Sequence, residues 1–91
     1  MIFHYVYVLF SEKDHKLYMG YSTDVYHRLE KHNSGLNTST ASRRPFRLIY
    51  YEAHLLKSDA LRRESYFKTT SGKRTLHIIL KQTLEDLGYQ R

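Results

Sequence analysis

Five residues of this chain carry side chains suited to one kind of chemistry. Tyr7 stands in Tyr5-Val6-Tyr7 and Tyr18 in Tyr18-Met19-Gly20. Arg28 and His32 follow, four apart, and Glu64 comes much later. Two phenols, a guanidinium, an imidazole and a carboxylate are the groups needed to cut a phosphodiester with one metal ion. That reaction needs an activated water, neutralisation of phosphate charge and help for the leaving oxygen.

The elements that must position them are legible from pattern. Residues 3–10, Phe-His-Tyr-Val-Tyr-Val-Leu-Phe, are aromatic and β-branched with no Gly or Pro, which predicts a strand. Phe3, Tyr5, Tyr7 and Leu9 fall on one face, and Val6, Val8 and Phe10 on the other. A strand apolar on both faces belongs in the middle of a sheet covered on both sides. A polar turn at 11–15 leads to a second strand at 16–22, forming a hairpin. Ser22-Thr23-Asp24 supplies a helix N-cap. The helix runs to about His32, with Val25 and Leu29 as its core stripe, and Asn33-Ser34-Gly35 ends it. Residues 36–45 are rich in Ser, Thr and Asn and read as a surface loop. A third strand spans Phe46 to Ala53. Ser58-Asp59 caps a second helix with Ala60, Leu61 and Phe67 inward, and Ser71-Gly72 breaks it. A last helix runs from about Lys73 to Leu87, with Leu76, Ile79, Leu80, Leu84 and Leu87 at helical spacing. The order is β-β-α-β-α-α. The helix after strand two returns the chain, so strand three lies antiparallel on the free edge of strand one. The expected class is α+β, a three-stranded antiparallel sheet flanked by helices, in one domain over residues 1–91.

Each candidate has a plainer role to set beside the chemical one. Tyr7 and Tyr18 lie on neighbouring strands of the hairpin, where side chains on one sheet face can touch, and can be core tyrosines with satisfied hydroxyls. Gly20, two beyond Tyr18, marks a close approach by a ligand or another backbone. Arg28 and His32 share a helix face. They can form a solvated basic surface, with Asp24 pairing Arg28 for less than about 1 kcal/mol. Glu64 lies within the apolar stripe of its helix, where a carboxylate is costly unless paired, protonated or on a metal. Arg63 or Arg28 can be its partner.

The chain has 91 residues, no cysteine and a formal charge of +6, with a pI near 9.7. A domain of this size buries about 60–65% of its unfolded surface. It has room for one core and one site, so a larger task calls for a protein partner that supplies specificity. Lack of cysteine excludes a disulfide framework and a thiolate metal site, and fits a reducing cytoplasm. No apolar run approaches the ~20 residues of a membrane span. The N-terminus lacks a basic leader, so no signal peptide is expected. The charge favours polyanions, nucleic acid first, and nine tyrosines with four phenylalanines add stacking capacity. Arg43, Arg44 and Arg47 cluster around the Ser/Thr-rich loop, which suits a phosphate backbone. Arg63, Lys68 and Lys73 complete the candidate nucleic-acid-binding set. If about four phosphates are neutralised, log affinity falls with log salt at a slope of about −3 to −4. His15, His27, His54 and His77 show no metal-ligand spacing, and no Walker loop or Ser-His-Asp arrangement appears.

Taken in order, these residues resemble the GIY-YIG nuclease superfamily. The run is Tyr5-Val6-Tyr7-Val8-Leu9, Tyr18-Met19-Gly20-Tyr21-Ser22-Thr23-Asp24, Arg28-Leu29, His32-Asn33, Arg43-Arg44-Pro45, Leu48-Ile49-Tyr50, Ala60 and Arg63-Glu64. It covers about residues 4–76 and looks most like the small single-domain bacterial members. Tyr5 stands where the family has its name-giving glycine, and Met19 replaces an isoleucine. Residues 68–75 hold no counterpart of the late asparagine of some members.

The resemblance implies a three-stranded sheet among helices. It also implies catalytic roles for Tyr7, Tyr18, Arg28, His32 and Glu64, with Glu64 as the protein ligand of one Mg²⁺ or Mn²⁺. Arg28 would hold the scissile phosphate. Tyr7 would be the general base or its relay, and His32 and Tyr18 would position it or the water. The implied activity is metal-dependent hydrolysis of DNA, more than RNA, in repair or recombination. The alternative is a nucleic-acid-binding module of the same fold that does not cut, or cuts only within a complex.

Overall fold

The computed structural model describes residues 1–89. Strands β1 (His4–Ser11), β2 (Leu17–Ser22) and β3 (Phe46–His54) form one antiparallel sheet in the order β2-β1-β3. Helix α1 (Val25–Ser34) connects β2 to β3, and α2 (Lys57–Phe67), α3 (Thr70–Ile79) and α4 (Lys81–Asp86) follow. The α+β class and the central place of β1 are as the two-sided apolarity of that strand predicts.

The two faces of β1 serve two cores. Val6 and Val8 join Met19, Ala60, Phe67, Leu76, Leu80 and Leu84 beneath α2, α3 and α4. Tyr7 and Leu9 pack with Val25 and Phe46 on the α1 side. Burying each large apolar side chain contributes about 1.5–3 kcal/mol, so β1 holds the two layers together. Among the described residues, no helix is long and apolar enough to cross a membrane.

Asp24 caps α1 as expected, accepting from the His27 amide at 3.0 Å, and Gly35 at φ 81° ends the helix. Asn33 then clasps β3: its amide donates to the Phe46 carbonyl at 3.0 Å and accepts from the Phe46 N–H at 2.7 Å.

The C-terminal third departs from the pattern reading in five places. Helix α2 starts at Lys57 behind an uncapped Leu56, with Asp59 in its first turn rather than capping it. Leu61 is 40% exposed instead of inward. The break after α2 comes at Lys68-Thr69, not Ser71-Gly72. Thr69 caps α3, accepting from the Gly72 N–H at 3.0 Å, and Gly72 sits inside α3 because a Cβ there would collide with the Tyr66 carbonyl. The single helix expected over 73–87 is two, bent at Leu80 (φ −103°, ψ 22°). Leu76, Leu80 and Leu84 remain buried through the bend, but Ile79 is 42% exposed.

Candidate active site

Tyr7 stands directly opposite Gly20 in the β1–β2 register. A Cβ on Gly20 would run into the Tyr7 Cζ and Oη. The close approach that the glycine permits is therefore made by the Tyr7 ring, neither a ligand nor a backbone. Lying over that bare backbone, the phenol reaches α1, where Tyr7 Oη is 3.1 Å from His32 Nε2. His32 is fully buried and Tyr7 is 1% exposed.

The imidazole is held on every side. Its Nδ1 is 2.8 Å from the Thr40 hydroxyl. The Tyr18 and Phe46 rings meet it edge to face, with centroids at 4.9 and 5.8 Å. The Tyr7 and Tyr18 rings are 6.4 Å apart. Arg28, one turn before His32, is half-buried on the same helix. Asp24 does not pair with it, and among the described residues the Arg28 side chain forms no ion pair. Glu64, on α2, has a side chain 19% exposed, and its carboxylate pairs with Lys68 at 3.2 Å rather than with Arg63 or Arg28.

Electrostatics tie the five together. Burial pushes the Tyr7 hydroxyl well above the usual phenol range. Tyr18 and Glu64 add to that rise, and Arg28 opposes it. Burial, with Arg28 behind it, pushes His32 below the usual histidine value. Tyr7 thus senses Arg28 from α1 and Glu64 from α2. The imidazole is neutral at pH 7 and can accept a proton.

The donor set fits a hard cation with few protein ligands. Among the described residues no three His, Cys, Asp or Glu side chains cluster, so Glu64 would be the single carboxylate. Mg²⁺ commonly accepts that, keeping several waters.

The basic residues divide. Arg44 and Arg47 are exposed. The Arg44 Nε donates to the Ala41 carbonyl at 2.8 Å, and Arg47 stands 3.8 Å from Glu12. Arg43 is engaged with Asp14 at 2.6 Å and lies over the Phe46 ring. Lys68 sits beside Glu64, and Lys73 is exposed on α3. Arg63 is not brought to the five. It makes two 3.0 Å bonds to Glu52 on β3 and stacks on Phe67 at 4.4 Å. An open cleft of about 570 Å³ beside it is lined by His54, Asp59, Arg62, Arg63 and Tyr66 and by none of the five residues. Its arginines are already matched by Glu52 and Asp59.

Thr40 is the site residue that the sequence does not announce. It stands in a stretch that reads as exposed loop, yet it is 1% exposed. No local pattern marks it, because its burial comes from a partner eight residues earlier on a helix.

Residues 3–77 match the family described as the GIY-YIG catalytic domain. A UPF0213 protein of Staphylococcus saprophyticus is 43% identical over 77 residues, covering 84% of this chain and 93% of its own. One from Staphylococcus haemolyticus is 44% identical over the same shares. The solution structure of a UPF0213 protein from Bacillus halodurans is 39% identical and superposes with a TM-score of 0.52, over 86% of this chain and 83% of that one.

Proposed function

The chain belongs to the GIY-YIG family, and from that premise we propose that it is a divalent-metal-dependent endonuclease that hydrolyses phosphodiester bonds in DNA, in repair or recombination. The observation that carries the reading is the buried Tyr7–His32 hydrogen bond, with Arg28 one turn from the histidine on α1 and the charges of Arg28 and Glu64 both acting on the phenol. A core tyrosine needs a partner for its hydroxyl. It does not need a guanidinium and a carboxylate acting on it from two different helices.

Magnitudes constrain the role of Tyr7. An ordinary phenol, of pKa about 10, is about 0.1% ionised at pH 7, and Tyr7 is ionised less than that. It acts as a relay rather than as a standing phenolate. Its oxygen takes a proton from the attacking water while its own proton passes to His32 Nε2. The water oxygen bonds to phosphorus, and the bond to the leaving 3′ oxygen breaks. The proton rests on His32 until the leaving oxygen or solvent takes it. Arg28 holds the phosphate and meets the growing charge, and Tyr18 packs the imidazole in place. A divalent cation bound by Glu64 would supply charge neutralisation at the leaving oxygen.

The test is cleavage of labelled single-stranded, duplex, flap and branched DNA with Mg²⁺ or Mn²⁺. The wild type and Glu64→Gln are run side by side. Metal-dependent cutting that the variant loses, with DNA binding retained, is the expected result. No cutting by either protein on any substrate would overturn the reading.

One observation favours a second reading. Tyr7 and His32 are almost completely buried, as a structural pair in a non-cutting nucleic-acid-binding module would be. Tyr7→Phe separates the two. It keeps the ring, so a binder retains its affinity and fold, whereas the nuclease loses about a hundredfold or more in rate.

A further inference from the structure

Three polar groups form a buried chain that ends in the 36–45 loop. Tyr7 Oη lies 3.1 Å from His32 Nε2, and His32 Nδ1 lies 2.8 Å from Thr40 Oγ1. Thr40 Oγ1 in turn donates to the Asn37 carbonyl at 3.4 Å. A threonine hydroxyl has a single hydrogen, and a carbonyl can only accept. With that hydrogen directed at Asn37, Thr40 offers His32 a lone pair. Nδ1 must then carry the imidazole hydrogen, and Nε2 is left as the acceptor.

The reverse polarity fails at the other end. If Thr40 donated to Nδ1, Nε2 would carry the hydrogen and donate to Tyr7. The phenol hydrogen would then have no acceptor among the described residues, on a side chain that is 1% exposed. Buried donors are rarely left so.

The loop is built to present this hydroxyl. The Asn37 side chain accepts from the Ser39 N–H at 3.1 Å, and its carbonyl accepts from the Thr40 N–H at 3.1 Å. The Thr40 carbonyl accepts from the Arg43 N–H at 2.9 Å, starting the short 3₁₀ turn. Thr40 is thus fixed from both sides along the chain.

We propose that Thr40 is a positioning residue that locks His32 in its Nδ1–H tautomer and so aims a lone pair at the Tyr7 hydroxyl. Its catalytic consequence rests on the nuclease reading; the tautomer itself does not. The wrong tautomer would present an N–H to Tyr7, and the relay could not pass a proton toward the histidine. A residue read as a solvated loop position would then govern the direction of proton flow. The same loop carries Arg43 and Arg44, so the segment that bears the candidate phosphate-binding arginines also sets the base.

The experiment is ¹⁵N-detected imidazole NMR on the full chain, with His32 identified by the signal missing in His32→Gln. Wild type should show His32 with a protonated Nδ1 and an unprotonated Nε2. Thr40→Val keeps the shape and removes the hydroxyl. It should shift His32 toward the Nε2–H form, and Thr40→Ser should restore the wild-type pattern. On the cleavable substrate, kcat should fall roughly ten- to a hundredfold in Thr40→Val, the scale found when the partner that orients a metal-bound histidine is lost. KM should stay within about twofold, and the serine variant should recover the rate. A wild-type His32 protonated on Nε2, or a tautomer unmoved by Thr40→Val, would overturn the proposal whatever the activity. The wild-type tautomer is read without Thr40→Val, so a misfolded Thr40→Val does not shield the idea. The expected tautomer in a protein that cuts nothing would leave the lock standing and remove the nuclease reading instead.

Discussion

The ring of Tyr7 fills the space where a side chain on Gly20 would stand. The two residues face each other across the hairpin, so the glycine is a condition for the tyrosine's path to His32. In a strand, Ala is otherwise preferred over Gly by roughly 0.5–1 kcal/mol. Gly20→Ala should reverse that sign. Overpacking against Tyr7 should lower stability by about 1–3 kcal/mol in urea unfolding, and cleavage should fall as Oη is forced off Nε2. A variant as stable and active as wild type would mean that the Tyr7 ring is free to move.

His32 should titrate below the ordinary histidine value of about 6.5. Burial is the main cause and Arg28 the second. The other groups facing the ring are Tyr7 from β1, Tyr18 from β2 and Thr40 from the loop. The sign follows from the direction of the shift. The folded pKa is depressed, so the unfolded chain binds the proton more readily. The contribution of His32 to stability is complete above about pH 6.5 and is lost as pH falls toward the folded pKa. Cleavage needs the neutral ring, so its acid limb should also lie below about 6.5. Arg28→Gln should raise the His32 pKa in an NMR titration. A wild-type value at or above 6.5 would mean that burial and Arg28 do not hold the ring neutral.

What the sequence could show followed from physical periodicity. Two-sided apolarity placed β1 in the middle, and an i, i+4 spacing put Arg28 and His32 on one helix face. Where pattern failed, the deciding contact was tertiary. Leu76, Leu80 and Leu84 keep a four-residue spacing across the bend at Leu80, so the periodicity runs through a helix break without registering it. Arg63 and Glu64 are adjacent in sequence, yet the helix sends one to Glu52 on β3 and turns the other to Lys68, where its charge still acts on Tyr7. Gly20 could be read as a point of close approach, but nothing local named Tyr7 as its occupant. Thr40 had no signal, because a polar loop residue looks the same whether it meets water or an imidazole.

The loop arginines should behave differently in binding. Arg44 is exposed and forms no ion pair among the described residues, so Arg44→Ala should flatten the salt dependence of DNA affinity by about one unit of slope. Arg43 must first leave Asp14, which it holds at 2.6 Å, so Arg43→Ala should change the slope less. Asp14→Asn removes the competing charge and should steepen the slope relative to wild type. Equal slopes for all four proteins, measured by fluorescence anisotropy between 50 and 200 mM salt, would take this loop out of the interface.

Lys68 and Glu64 form an exposed i, i+4 pair at 3.2 Å, of a kind that adds about 0.3–0.5 kcal/mol to a helix. Lys68→Ala should therefore leave stability almost unchanged. Its effect should appear in metal binding, because a cation on Glu64 competes with the ammonium for the same carboxylate. With the lysine gone, half-saturation by Mn²⁺, followed by electron paramagnetic resonance without DNA, should come at a severalfold lower concentration. Glu64→Gln should abolish the binding. If neither substitution moves the Mn²⁺ titration, the cation is not held by Glu64. The carboxylate would then act on Tyr7 through its charge alone.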